Sequence, residues 1–358
     1  MVGTSHINSD KLLKLSSIII LLFIISSFLS FKTLASASTT TSSSSSSAQC
    51  EQQTTNVCNN KSKALSLKLI GISSILVTSI IGVSLPLLTR SVPALNPDRI
   101  LFIIVKAFAS GIILATGFMH VLPDSFDMLR SSCLADNPWH KFPFTGFVAM
   151  LSAVFTLMVD SMATSVYTKS KNSVSSAETA DKSMVVDGDH ENGHIGSQLL
   201  RYRVVAMVLE LGIVVHSIVI GLGVGTSNDT CTIKPLVAAL CFHQLFEGMG
   251  LGGCILQAEY KKMKKLAMVF FFSITTPFGI ALGIGLSKTY EENSPNALIT
   301  VGLLNASSAG LLIYMAMVDL LAAEFMGPKL QGSIRLQIKC YVAVLLGAGG
   351  MSIMAKWA

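Results

Sequence analysis

Eight long apolar segments determine which class of fold this chain can adopt. They lie near residues 64–89, 100–122, 143–167, 203–226, 233–257, 266–287, 297–324 and 335–357. Each exceeds the roughly 20 apolar residues that a helix needs to cross the hydrocarbon core of a bilayer. Only 13% of all residues are charged, whereas soluble domains average about 25%. Because backbone polar groups in lipid must bond within their own segment, we predict an all-α membrane protein with eight transmembrane helices.

The N-terminal residues are typical of a targeting segment. Residues 1–37 contain two lysines before a short apolar core, Ile18–Phe28, and small residues at 35–37. This pattern predicts a secretory signal peptide, with an uncleaved signal anchor as the alternative. Residues 38–63 are rich in serine and too polar to pack, so we expect a disordered extracellular segment.

The apolar segments divide the rest of the chain into three groups of spans. Residues 64–168 contain spans one to three, 202–257 contain spans four and five, and 258–358 contain spans six to eight. The insertion at 169–201 is rich in Ser, Lys and Asp, and we expect an unstructured cytosolic loop. Loops after odd-numbered spans hold most of the basic residues, which predicts that they face the cytosol and that both termini lie outside.

Four cysteines fall on the outer side in this orientation, and disulfides form in oxidising compartments. They are Cys50, Cys58, Cys133 and Cys231. Two disulfides are therefore expected, and the sequence leaves all three pairings open.

Ionisable and polar side chains within the fourth and fifth spans carry the functional signal. The fourth span contains His216 and Ser217, and the fifth contains His243, Gln244 and Glu247. His243 and Glu247 are four residues apart, so they share one helix face. A single buried histidine is often a packing residue, and a glutamine often joins helices. Together they favour a site for Zn²⁺ or Fe²⁺, because Glu247 would otherwise be an unneutralised buried anion.

Other acidic and imidazole groups suggest sites where ions arrive or leave. His120 and Asp124 are spaced for one helix face at the outer end of the second span, where a solvated helix end is the alternative. Asp136 follows in the outer loop and could attract cations. Glu210 lies about 9 Å along the fourth span from its histidine, which is a separate position. Asp319 in the seventh span lies deep enough to need a partner.

The 169–201 insertion contains a local group of potential metal ligands. They are Asp187, Asp189, His190, Glu191 and His194. A metal-collecting segment is one interpretation, and a merely solvated acidic patch is the other.

Two motifs resemble the signature of the ZIP (Zrt/Irt-like) metal transporters. They read His216-Ser217-x-x-x-Gly221 and His243-Gln244-x-x-Glu247-Gly248. Longer stretches at 133–140, 241–254 and 351–357 resemble the plant iron-regulated transporter branch. The resemblance covers all eight spans and the insertion.

The resemblance implies a 3+2+3 inverted-repeat bundle with spans four and five at its centre. It also implies a two-metal centre in which His216, Ser217, His243, Gln244 and Glu247 occupy ligand positions. Bacterial members have acids where this chain has Ile220 and Thr276, so a weakened second metal position is expected. In the outer loop Asp136 matches an acid of this branch tied to metal selectivity, whereas Ala135 replaces a neighbouring Glu.

The function predicted from these features is import of divalent transition metals into the cytosol across the plasma membrane. Fe²⁺ and Zn²⁺ are the expected substrates, together with Mn²⁺, Co²⁺ and Cd²⁺, and no prosthetic group is expected. An intramembrane zinc hydrolase is the alternative, but its typical His-Glu-x-x-His motif is absent. Expected partners are the metal ions, the lipid bilayer, a second copy in a homodimer and cytosolic regulators at the 169–201 loop, but no nucleic acid.

Overall fold

Eight membrane-length helices make up the described part of the protein. The computed structural model describes residues 58–88, 100–178, 189–287 and 294–355. The helices are α1 Lys61–Leu88, α2 Ile100–Leu129, α3 Phe144–Glu178, α4 Asp189–Thr226, α5 Thr230–Gln257, α6 Lys262–Leu286, α7 Pro295–Phe325 and α8 Ile334–Met354. The predicted all-α fold with eight spans is confirmed.

The insertion between α3 and α4 differs from the expectation. We expected an unstructured loop at 169–201, but α3 continues to Glu178 and α4 begins at Asp189. The sequence from the end of the third span to Glu178 contains no glycine or proline, so nothing in it stops the helix. Residues 1–57, with the predicted signal peptide and Cys50, and residues 179–188, with Asp187, lie outside the described residues.

The helices pack in four pairs that are related by an inverted repeat. The pairs are α1 with α5, α4 with α6, α2 with α8 and α3 with α7. Exchanging α1 with α6, α2 with α7, α3 with α8 and α4 with α5 maps each pair onto another. Helices α2 and α7 also both contain a stretch of π-helix, at Gly117–Val121 and Met315–Ala322. The 3+2+3 arrangement implied by the family resemblance therefore describes this fold.

Glycines set the close approach within these pairs. A Cβ at Gly248 of α5 would lie 2.8 Å from the backbone nitrogen of Val83 in α1. One at Gly347 of α8 would collide with the carbonyl oxygen of Phe108 in α2. Small residues of this kind let membrane helices approach closely, since van der Waals packing is what holds them together in lipid.

Gly347→Val should therefore destabilise the protein, because the added side chain has no room between α8 and α2. We expect a loss of about 1–3 kcal/mol, as for other overpacked cores, measured as a lower thermal midpoint in detergent. Gly349→Val is the matched control, since a Cβ there meets nothing within 4 Å. Equal midpoints for the two variants would contradict the close α2–α8 packing.

A disulfide joins the start of α1 to the start of α5. Cys58 is bonded to Cys231, and Thr230 donates its backbone N–H and its hydroxyl to the carbonyl of Cys58, at 3.0 and 2.8 Å. Cys133 also forms a disulfide, with a partner outside the described residues. We call the side of the bundle that carries Cys58, Cys133 and Cys231 the disulfide face. The opposite side, which carries Arg201, Lys261 and Lys339, is the basic face.

Pro277 lies inside α6 without ending it, although an internal proline usually kinks or breaks a helix. The hydroxyl of Thr275 donates to the carbonyl of Phe271 one turn earlier. The carbonyl that the proline leaves without its intrahelical donor is that of Ser273, four residues before it.

Candidate metal centre

Three buried imidazole rings meet between α2, α4 and α5. The ring centroids of His216 and His243 are 5.9 Å apart, and His120 lies 6.0 Å from His216 and 6.3 Å from His243. No ring is more than 4% exposed. The structure thus brings together the two predicted transport histidines and adds a third from α2.

The position of His120 corrects one sequence interpretation. A solvated helix end was the alternative for this residue, but it is buried and lies within the π-helical stretch Gly117–Val121. A π-turn inserts an extra residue into a helix and changes the direction of the side chains around it, often at functional sites. The 3.6-residue period that we applied to the second span takes no account of such a turn.

The remaining predicted transport residues line the same region. Glu247 lies one turn beyond His243 on α5, and Gln244 is adjacent in sequence to that histidine; both are fully buried. Ser217 follows the α4 histidine and is 1% exposed. All five residues predicted for the transport site are therefore buried on two neighbouring helices.

Many polar atoms in this cluster have no hydrogen-bond partner among the described residues. They are both ring nitrogens of His216, Nε2 of His120 and His243, both carboxylate oxygens of Glu247, both amide atoms of Gln244 and the hydroxyl of Ser217. Native proteins bury few such atoms, so a concentration of them requires an explanation. Imidazole nitrogen and carboxylate oxygen are ligands of Zn²⁺ and Fe²⁺. A bound divalent cation would satisfy them together.

Thr276 and Ile220, the positions where the family resemblance implies acids in bacterial members, carry neutral groups here. Thr276 is fully buried on α6, where its carbonyl oxygen would lie 2.7 Å from a Cβ at Gly221 of α4. Its hydroxyl has no partner among the described residues. Ile220 contributes only apolar surface. A second metal ion near Thr276 would therefore find neutral oxygens rather than a carboxylate, and the weakened second position remains a prediction.

Asp124 connects the histidine cluster to the disulfide face. Its carboxylate is 4.0 Å from Nδ1 of His120, and its side chain is 43% exposed. Asp136 is separate: it is 96% exposed and lies 3.3 Å from Nδ1 of His140, whose Nε2 is 3.1 Å from the carbonyl of Arg130. Of these two acids, only Asp124 adjoins the buried imidazoles.

The predicted acids on the other side of the cluster lie towards the basic face. Asp319 is 5% exposed, and its partner is Arg201, at 3.8 Å between the charged atoms. At that distance the two groups form an ion pair but not a hydrogen bond. Oδ1 of Asp319 therefore accepts no hydrogen bond from the described residues. Glu210 is partly buried on α4.

Lys106, a buried cation near this end, was not identified from the sequence. The available signal was a lysine well inside an apolar span, which is costly without a partner. Of the residues predicted for the insertion, Asp189, His190, Glu191 and His194 belong to the first turns of α4.

One further group has the ligand spacing of a metal site, but its chemistry excludes that role. Cys58, Asp229 and Cys231 place their donor atoms within 4.8 Å of one another. Both sulfurs are consumed by the disulfide. The hydroxyl of Thr232 and the backbone N–H of Cys231 hold the pKa of Asp229 below its usual range, because both donate to its carboxylate as it caps α5.

Eight membrane helices around a buried cluster of imidazole and carboxylate groups define a membrane transporter for cations. Comparison with known proteins gives the family. Residues 65–355 match the ZIP Zinc transporter family. The chain belongs to this family, so it is a metal transporter and not an enzyme.

Several plant proteins are closely similar over nearly their whole length. Probable zinc transporter 10 of Arabidopsis thaliana is 66% identical over 331 residues, which cover 86% of this chain and 91% of that protein. Fe(2+) transport protein 1 of the same plant is 65% identical, over 87% of this chain and 91% of that protein. Fe(2+) transport protein 1 of Oryza sativa subsp. japonica is 60% identical, over 84% of this chain and 86% of that protein. The resemblance to the plant iron-regulated branch is confirmed, and nothing supports the hydrolase alternative.

Proposed function

We propose that this protein imports Fe²⁺ and Zn²⁺ into the cytosol through the cluster of His120, His216, His243 and Glu247. The observation that carries the proposal is the set of buried imidazole and carboxylate atoms that have no hydrogen-bond partner in the part of the chain that the structure describes. The names of the similar plant proteins, which include zinc transporters and Fe(2+) transport proteins, support the choice of metals.

The donor set favours transition metals over the commoner divalent cations. Mg²⁺ and Ca²⁺ prefer shells made of oxygen, whereas Zn²⁺ and Fe²⁺ accept imidazole nitrogen readily. Three imidazoles and one carboxylate therefore select against Mg²⁺ and Ca²⁺. The same ligands suit Mn²⁺, Co²⁺ and Cd²⁺, which we propose as additional substrates.

The direction of transport follows from the two faces. Disulfides form in oxidising compartments, which supports an extracellular disulfide face. Arg201, Lys261 and Lys339 are among the basic residues at the other face, and such residues favour the cytosol. An ion would pass from Asp124 to the histidines and onward to Glu210 and Asp319. A negative interior assists this movement by about 2.3 kcal/mol per charge for each 100 mV.

Localisation in the plasma membrane, homodimer formation and regulation through residues 169–201 complete the proposal. The signal-peptide pattern of residues 1–37 supports the secretory route to that membrane. Transport requires no prosthetic group in this scheme, because the metal is the cargo.

Uptake of ⁵⁵Fe and ⁶⁵Zn by cells that lack their own importers tests the proposal. We expect saturable uptake of both isotopes and mutual competition between them. Excess Mn²⁺, Co²⁺ or Cd²⁺ should compete, whereas Mg²⁺ and Ca²⁺ should not, because they prefer oxygen shells. Uptake no greater than in vector controls, with the protein present at the cell surface, would refute the proposal.

A further inference from the structure

A buried lysine ties three helices together near the basic face. Lys106 of α2 is 7% exposed. Its ammonium donates to the side-chain oxygen of Gln257 at the end of α5, at 2.8 Å, and forms an ion pair with Glu324 at the end of α7. An ammonium at this depth is costly unless it is paired, so these contacts account for its position.

Two of the helices that this contact joins, α2 and α5, also carry residues of the candidate metal centre, further from the basic face. Lys106 precedes His120 on α2 by about 20 Å, at 1.5 Å per residue. Glu324 lies five residues beyond Asp319 on α7, nearer the basic face. An ion that continues from Asp319 along α7 towards the basic face therefore reaches Glu324 and Lys106.

A second cation–acid pair lies near the same face. Arg201 at the basic end of the α4 span lies 3.8 Å from Asp319 of α7. Lys106 and Arg201 thus join α2 and α4, which both carry histidines of the candidate metal centre, to α7.

We propose that Lys106 is a positioning residue that closes the cytosolic end of the metal pathway, with its ammonium acting as a tethered cation on Glu324. The inference rests on the proposed function, since it needs a metal pathway that continues from Asp319 to Glu324 along α7. In the closed state the ammonium neutralises the carboxylate and repels cations. A departing divalent ion exchanges with it at Glu324, because two charges bind a carboxylate more strongly than one. After the ion leaves, the ammonium returns and prevents backflow.

A purely structural ion pair is the competing explanation, and thiol accessibility separates the two. Cys254 is a free thiol, 2% exposed, one helical turn before Gln257 on α5. In a Cys241→Ala/Cys340→Ala background it is the only free cysteine among the described residues. Its alkylation by N-ethylmaleimide, followed by mass spectrometry of the Cys254 peptide from full-length protein in nanodiscs, measures opening without requiring transport.

Lys106→Met should increase the alkylation rate of Cys254 about tenfold, since the open state becomes more populated. It should also speed the loss of ⁶⁵Zn from preloaded cells. Lys106→Arg keeps the charge and should behave like the parent protein. Lys262→Met removes an exposed lysine and should change neither rate.

Lys106→Met removes the ammonium that pairs with Glu324, so the variant could fail to fold. The double variant Lys106→Met/Glu324→Gln removes both charges and avoids that cost. We expect it to keep the parent thermal midpoint and still show fast alkylation. Parent-like alkylation in this folded double variant would overturn the inference, even if uptake is normal. Absence of uptake in the parent protein, with the alkylation difference intact, would overturn only the proposed function.

Discussion

Glu247→Gln should abolish metal uptake and at the same time raise the thermal stability of the metal-free protein. Glutamine keeps the shape of the side chain but removes the negative charge that neutralises the cargo. Substitution of residues that only support a metal ligand lowers metal affinity or activity about 10–100-fold, so loss of a ligand should lower it at least as much. The stability should rise because neither oxygen of the fully buried carboxylate has a hydrogen-bond partner among the described residues.

Glu259→Gln provides the matched control for this pair of effects. Glu259 follows α5 and is exposed, so its substitution should leave uptake and the thermal midpoint unchanged. Uptake by isotope counting and melting in the presence of a chelator give the two measurements. A Glu247→Gln protein that transports normally at equal surface expression would remove this residue from the site. A lower midpoint would show that the carboxylate is satisfied in the metal-free protein.

His120→Ala and His216→Ala should each reduce zinc affinity strongly, and the double variant should lose much less than the product of the two effects. The rings lie 6.0 Å apart, and residues that act on one ion are not additive. We expect each single variant to bind Zn²⁺ about 10–100-fold more weakly, by analogy with other residues around metal sites. Isothermal titration of the purified protein with Zn²⁺ gives the affinities.

Additivity distinguishes a single centre from two consecutive sites. If His120 belonged to a separate site, the fold reductions in zinc affinity caused by His120→Ala and His216→Ala would multiply in the double variant. His140→Ala is the control: this histidine is in the loop between α2 and α3, where it contacts Asp136 and the carbonyl of Arg130. Zinc affinity should be unchanged in that variant. Multiplicative losses for the first two would place His120 outside the centre.

Much of the architecture could be predicted from the sequence because lipid imposes a strong constraint on the backbone. Segments long and apolar enough to cross a bilayer predicted all eight helices, with ends that differ by a few residues except where α3 and α4 extend towards each other. His243 and Glu247 were predicted to share a helix face because they are four residues apart in a regular helix. Their burial follows from their depth in α5.

The features that were missed depend on irregular backbone or on contacts between distant segments. The location of His120 beside His216 arises where α2 contains a π-turn, which a regular helical period does not describe. The partner of Asp319, Arg201, lies far away in sequence, as does the partner of Lys106. The helical ends of α3 and α4 were missed because a polar composition was taken as a sign of disorder.

X-ray absorption at the zinc edge of protein loaded with one Zn²⁺ per chain tests the central claim most directly. If the ion binds at the three histidines and Glu247, the first shell should contain only nitrogen and oxygen, at about 2.0–2.2 Å. Outer-shell scattering should show two or three imidazole rings and should lose one of them in His216→Ala. A shell that contains sulfur at about 2.3 Å, or one with no imidazole scattering, would contradict the assignment.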